Sequence, residues 1–224
     1  MAIIGSILGD IAGSQYEFRK PMDLDYKNCD LFTNKCSFTD DTVMTLAAKE
    51  AVMNKNDFST YYRKFGRKYP DVGYGQMFDE WIFDNSAKAY GRYGNGSAMR
   101  VSYIGEYSNC QEEVIELAAK SADCTHNHPE GIKGAVVTAT CGWMAKNGAS
   151  KKEIEEYASR EYPAGSYYKY PVSMSMKELK EVYKWDETCQ GSVPAAIRCF
   201  LDSEDYESFI RNVLSFKCDS DTLG

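Results

Sequence analysis

An all-α fold follows from three observations. Apolar residues recur at helical spacing in segment after segment, from Ile3–Ile11 to Tyr206–Phe216. Several of these segments are bracketed by Ser, Thr or Asp at the start and by Asn-Gly or Pro at the end, the residue types that open and close helices. No run alternates apolar and polar residues convincingly, as a half-buried strand would. At 224 residues and 25.3 kDa, with 43% hydrophobic and 26% charged residues, the chain suits one compact globular domain spanning residues 1–224.

The first helix is expected over residues 3–13, where Ile3, Ile4, Ile7, Leu8 and Ile11 share a face and Gly5, Gly9 and Gly13 recur every four residues. Such a glycine stripe admits close approach by another backbone or by a ligand. The segment lacks a basic leader and reads as a buried helix, not a signal peptide. Asp10 lies within the stripe, and Glu17 follows shortly after it. Residues 19–37 carry no period and read as an irregular loop.

A helix over Thr39–Met53 comes next, opened by Phe38-Thr39-Asp40-Asp41-Thr42. One capping oxygen is enough to start a helix, so a hydroxyl and two adjacent carboxylates exceed what capping needs. Asp57–Tyr69 is a further helix, ended by Pro70. Residues 71–81 form a glycine–aromatic loop running into a short helix, with Tyr74 as a candidate for a pocket wall.

In Gly91–Arg100, the residues Gly94, Asn95 and Gly96 permit positive φ, and Ser97-Ala98-Met99 is expected to open a helix. Backbone N–H groups and a helix dipole at such a turn favour an anion. The stretch is neither a Walker loop nor GxGxxG. Gln111–Asp123 is amphipathic, and both histidines, His126 and His128, follow it ahead of a helix expected over Gly134–Ala145. Lys151–Glu161 and Ser175–Trp185 read as charged, exposed helices flanking a tyrosine-rich stretch, Tyr162–Pro171, which is either a lid or a crossing. A buried helix is expected to be capped by Ser192, with Pro194 in its first turn. After Tyr206–Phe216, the chain closes on Asp219-Ser220-Asp221-Thr222.

The two oxygen-rich clusters supply the hard ligands that Mg²⁺ or Mn²⁺ prefers, and they are expected to meet around a metal site. A net charge of −7 argues against a nucleic-acid-binding face and against binding bare phosphate without a recruited cation. Eight cysteines without CxxC spacing read as reduced thiols, and two histidines make a zinc site a poor fit. No apolar run approaches the roughly 20 residues that span a bilayer. A cytoplasmic monomer is the expectation.

Taken in order, GDIAGSQYE (9–17), FTDDT (38–42), GYG (73–75), GNGSAMR (94–100), THNHPEGIKGA (125–135), SVPAAI (192–197) and DSDT (219–222) resemble the ADP-ribosylglycohydrolase family, which includes the dinitrogenase-reductase-activating glycohydrolases. The resemblance extends over nearly the whole chain. It implies a compact all-α protein with two Mg²⁺ or Mn²⁺ ions in a cleft. Thr39, Asp40 and Asp41 would ligate from one side, Asp219, Asp221 and Thr222 from the other, with Glu17 as the family's lid glutamate near both metals and scissile bond. Gly94, Asn95, Gly96, Ser97, Ala98, Met99 and Arg100 would hold the ADP-ribose, with contacts from His126 and Tyr74. Glu17 and Asp41 would be catalytic.

The implied activity is hydrolysis of the bond between ADP-ribose and an arginine or serine side chain of a protein, or a small molecule. Two features depart from the family's pattern. Lys217-Cys218 stands where a glycine pair is usual, and the chain stops at Leu223-Gly224 where the family continues, so a shortened C-terminus is expected. The alternative reading is accordingly a non-catalytic ADP-ribose-binding protein with a degenerate metal site. A metal-dependent phosphohydrolase is a third, disfavoured because no His-Asp pairing is present.

Overall fold

The computed structural model describes residues 2–54, 57–165 and 167–224. In chain order the helices are α1 (Ala2–Ser14), α2 (Asp40–Met53), α3 (Phe58–Lys68), α4 (Gln76–Phe83), α5 (Ser102–Tyr107) and α6 (Gln111–Asp123). They continue as α7 (Pro129–Lys146), α8 (Lys151–Glu161), α9 (Met176–Val182), α10 (Cys189–Leu201), α11 (Tyr206–Val213) and α12 (Ser220–Leu223), with a 3₁₀ turn at Asn95–Ser97. Among the described residues the extended pairing is a single isolated bridge between Gly94 and Thr188. The all-α expectation holds.

At 18 residues α7 is the longest helix, and it packs against α5, α6, α8 and α10. On one side, Met44, Tyr62, Trp81, Ile104 and Val114 form a core shared by α2 to α6. On the other, Val137, Ile154, Tyr162, Val193 and Ile197 join α7, α8 and α10. A third cluster seats Tyr170, Tyr183, Cys199, Phe216 and Cys218 beneath the segment that leads into α12. No described helix is long and apolar enough to cross a membrane.

Several boundaries differ from the sequence expectation for identifiable reasons. α7 begins at Pro129, not Gly134, because His128 caps it, Nδ1 accepting from the Glu130 N–H at 3.1 Å. α10 begins at Cys189 with Thr188 as cap, so Ser192 lies inside the helix and its hydroxyl donates to the Thr188 carbonyl at 2.7 Å. The tyrosine-rich stretch is no lid where it is described: Tyr162, Tyr168 and Tyr170 are buried in the two cores.

The first helix is also not buried through its isoleucines. Ile4 and Leu8 are exposed, and the buried positions are Gly9, Asp10, Ala12 and Gly13. The glycine stripe serves helix packing. A Cβ on Gly9 would strike the backbone of Gly224, and one on Gly13 the Ser220 carbonyl and the Asp221 amide. Small residues here let α12 lie directly on α1, which carries the Asp219–Thr222 cluster to the start of α2.

A substitution pair separates this role from ordinary helix propensity. Gly13→Ala overpacks a contact whose far side is backbone and cannot rotate away, so we expect it to cost about 1–3 kcal/mol of stability. At Gly5 a Cβ meets only the Tyr206 ring edge, at 3.6 Å. Gly5→Ala is expected to stabilise by about 0.5–1 kcal/mol through helix propensity. Denaturant unfolding of both variants checks the contrast, and equal effects would refute the packing assignment.

Candidate metal centre and its cleft

Asp10 sets the geometry of this region although it points away from solvent. It is fully buried, and its carboxylate accepts from the Thr39 amide at 2.9 Å, the Thr39 hydroxyl at 2.8 Å and the Thr42 amide at 3.0 Å. Two of the unpaired N–H groups at the start of α2 are thereby satisfied from α1. Thr39 then acts as the local cap, Oγ1 accepting from the Asp41 amide at 3.2 Å. With capping discharged by Asp10 and Thr39, the carboxylates of Asp40 and Asp41 are left for another purpose.

The cluster from the other end of the chain meets them. Thr222 Oγ1 donates to Asp41 Oδ2 at 3.2 Å, joining α12 to α2. Carboxylate oxygens of Glu17, Asp219 and Asp221 lie within 4.8 Å of one another. Glu17 reaches in from the loop after α1, and the residues beside it are tethered. Phe18 stacks on Trp185 with ring centroids 5.7 Å apart, and Lys20 Nζ donates to the carbonyls of Leu214 and Phe216, both at 2.6 Å.

Burial, then mutual repulsion, shapes the protonation of these acids. Loss of hydration comes first at every one, and it raises Glu17 to about 7 with Asp219's charge as the next contribution. Asp40 and Asp221 are also raised to about 7, with Asp219 among the repelling neighbours of the first and Glu17 of the second. Asp41 and Asp219 are pushed well above the usual carboxylate range. Among the described residues no Lys or Arg forms an ion pair with any of them. A set of carboxylate and hydroxyl oxygens this crowded, without a basic counter-charge, fits a hard divalent cation.

The acids line a cleft of about 630 Å³. That volume lies in the range of small-molecule sites. Tyr90, Arg92, Gly94, Gly96, Met99, Arg100 and His126 line the same cleft. Asn95 joins the glycine turn to the acids, its side-chain amide donating to Asp219 Oδ2 at 2.7 Å.

The glycine turn differs from the expected anion nest. Gly94 has φ −61°, and the glycines with positive φ are Gly73, Gly91 and Gly148. No α-helix opens at Ser97; a three-residue 3₁₀ turn stands there, and α5 starts at Ser102. The Asn95 amide is committed to the Glu187 carbonyl at 2.8 Å, and the Ala98 and Met99 amides to the Asn95 carbonyl.

Two members of this segment face away from the cleft. The buried Ser97 hydroxyl donates to the Gly131 carbonyl at 2.8 Å, holding the first turn of α7, and Ala98 packs into the core on that side. Tyr74 is also displaced from its expected role. Its ring packs on Phe78 at 5.6 Å, and the cleft wall is formed by Gly73 and Gly75 on either side of it. Arg100 is 1% exposed and bonds inward, to the Ser121 carbonyl and the Thr125 hydroxyl.

The two residues that motivated a degenerate site do not intrude on it. Lys217 is exposed to solvent, while Cys218 is buried in the third core cluster with its thiol 3.4 Å from the Val213 carbonyl. Neither lines the cleft. Sequence reasoning missed the roles of Asp10 and Thr125. For Asp10 the signal was present, a carboxylate on a helix face lined with glycines.

Comparisons with known proteins agree with this architecture. The sequence model of the ADP-ribosylglycohydrolase family matches residues 1–224. ADP-ribosylhydrolase ARH3 of Bos taurus is 27% identical over 259 residues, spanning 89% of this chain and 71% of its own length. The Mus musculus protein of that name is 28% identical over 259 residues, spanning 89% and 70%. A solved structure, an ADP-ribosylglycohydrolase-related protein complex, shares the fold with a TM-score of 0.77 at 22% identity, over 99% of this chain and 81% of that one.

The raised carboxyls carry a pH prediction. Unfolded, these groups lose their protons near their ordinary values of 3.8 and 4.5; folded, Glu17, Asp40 and Asp221 keep them to about 7. Between those limits the folded state binds more protons, so stability falls as pH rises through the window. Metal-free protein kept in chelator should therefore melt at a higher temperature at pH 5.5 than at pH 8. Thermal unfolding followed by circular dichroism tests this, and a melting temperature that climbs across the window would contradict the assignment.

Proposed function

We propose, for a chain that belongs to the ADP-ribosylglycohydrolase family, that it is a metal-dependent hydrolase releasing ADP-ribose from an arginine or serine side chain of a modified protein, or from a small-molecule conjugate. The observation that carries the reading is the convergence of Glu17, Thr39, Asp40, Asp41, Asp219, Asp221 and Thr222 in one cleft that Arg92, Asn95 and His126 also line. These seven residues would hold two Mg²⁺ or Mn²⁺ ions. Ions bound there supply Lewis acidity to the oxygens of ribose and water.

The remaining chemistry falls to the chain's own groups. Cleavage at the anomeric carbon develops oxocarbenium character, which a neighbouring carboxylate stabilises. Glu17 suits that task. It lies at the mouth of the acid cluster, on a tethered loop, and its burial-raised carboxyl exchanges a proton near neutral pH. Asp41 holds the Thr222 hydroxyl and so fixes the two ligand clusters relative to each other. Asn95, bonded to Asp219, sets the spacing between the acid end and the end that takes the diphosphate.

The deciding experiment is Mg²⁺-dependent release of free ADP-ribose, measured on an arginine-ADP-ribosylated protein and on a serine-ADP-ribosylated peptide. Asp41→Ala should abolish release, and Glu17→Gln should lower kcat by about 10²–10⁴ with little change in KM, the range of general acid–base catalysis. Unchanged turnover in Asp41→Ala would sink the metal assignment. Tight ADP-ribose binding without turnover on any substrate would replace the hydrolase with a binding protein.

Cation binding has a second signature. Calorimetric titration of Mg²⁺ at pH 6.5 should release protons, seen as a heat that depends on the buffer's ionisation enthalpy, because ligation requires deprotonated carboxylates. A heat independent of buffer would count against a site built on these acids.

A further inference from the structure

A buried cation, Arg100, stands in the wall of the cleft near His126. The Arg100 guanidinium lies over the Tyr62 ring at 4.1 Å, and its Nη2 donates to the Ser121 carbonyl at 2.7 Å and to Thr125 Oγ1 at 2.9 Å. An arginine can only donate. Thr125 is fully buried, and its hydroxyl oxygen therefore accepts at this contact. The other contact of that hydroxyl is His126 Nδ1, at 2.8 Å.

The proton count then determines the imidazole. If Nδ1 carried the ring proton, it too would donate to Thr125, and the threonine's own proton would be buried with no acceptor among its contacts. Leaving a buried donor unmet is costly. The satisfied arrangement sends the Thr125 proton to a bare Nδ1 and places the ring proton on Nε2. A second proton on the ring is opposed by burial, with the positive charges of Arg100 and Arg92 adding to it, and His126 is held down to about 3.

Nε2 faces the glycine turn. A side chain on Gly96 would begin 3.4 Å from it and one on Gly94 3.6 Å, so bare glycines leave this donor open to the cleft. The turn's own amides at Asn95, Ala98 and Met99 are already bonded. We infer that Arg100 and Thr125 are positioning residues which fix His126 in the Nε2–H tautomer, so that a neutral donor meets an anionic oxygen of the ligand beside Gly94 and Gly96. The ligand half of this inference rests on the ADP-ribose reading; the tautomer half does not.

The chain has two histidines, His126 and His128, which makes the tautomer directly measurable. Long-range ¹H–¹⁵N spectra of histidine-labelled protein, with His128→Asn for assignment, should show His126 protonated at Nε2 and bare at Nδ1 from pH 5 to 8. Thr125→Val keeps the side-chain shape and removes the hydroxyl. It should lose the pure tautomer and weaken ADP-ribose binding about tenfold by calorimetry, while Thr125→Ser restores both. An Nδ1–H signal in the unaltered protein would overturn the inference, as would a Thr125→Val variant with unchanged tautomer and affinity. The Nε2–H tautomer without any ADP-ribose binding would uphold the relay and overturn the ligand assigned to it.

Discussion

The three hydrogen bonds to Asp10 are the constraint on which the cleft depends. A carboxylate buried in the middle of a helix is tolerated only where donors satisfy it, and here all three come from the start of α2. That arrangement fixes where α2 begins and removes its capping demand from Asp40 and Asp41. The same helix, through Gly9 and Gly13, accepts α12 at backbone distance. One helix therefore brings both acidic clusters to one point, and Asp10 holds the register without itself lining the cleft.

The same dependence explains which parts of the site were legible in the sequence. Asp40, Asp41, Asp219 and Asp221 could be found because adjacent carboxylates at helix starts are chemically conspicuous, and the family resemblance added Glu17. Helix existence was also readable, from the apolar period over Gln111–Asp123 and, over Lys151–Glu161, from a start that Ser150 and Glu153 cap reciprocally. What a linear reading could not supply was the direction of side chains in irregular segments. Ser97 and Tyr74 sit in glycine-rich stretches, yet one holds α7 and the other packs on Phe78. The glycines of the turn suggested unusual φ, whereas their observed use is to leave room beside His126.

The helix starts of α7 and α10 were misplaced for a related reason. His128 and Thr188 cap these helices, and both lie in stretches whose apolar period begins only later. Periodicity locates the buried face of a helix, and the capped first turn can precede that face by several residues. The tyrosines of residues 162–171 show the opposite failure. Their polar tips suggest a surface lid, but an aromatic ring buries far more apolar area than its hydroxyl costs, and Tyr162, Tyr168 and Tyr170 fill gaps between helices.

The chain carries a net charge of −7, and its crowded acids share one cleft with cationic and neutral groups. Repulsion among the crowded carboxylates is a standing cost that a hard divalent cation would relieve. Two arginines line the cleft, and Arg92 is exposed there. The other, Arg100, is kept inside the wall, bonded to Ser121 and Thr125 and stacked over Tyr62. Its Nη2 is spent on protein groups, while its positive charge still acts on His126 beside the cleft. His126, held down to about 3 chiefly by burial, stays neutral near pH 7, while the carboxyls of the acid cluster titrate there.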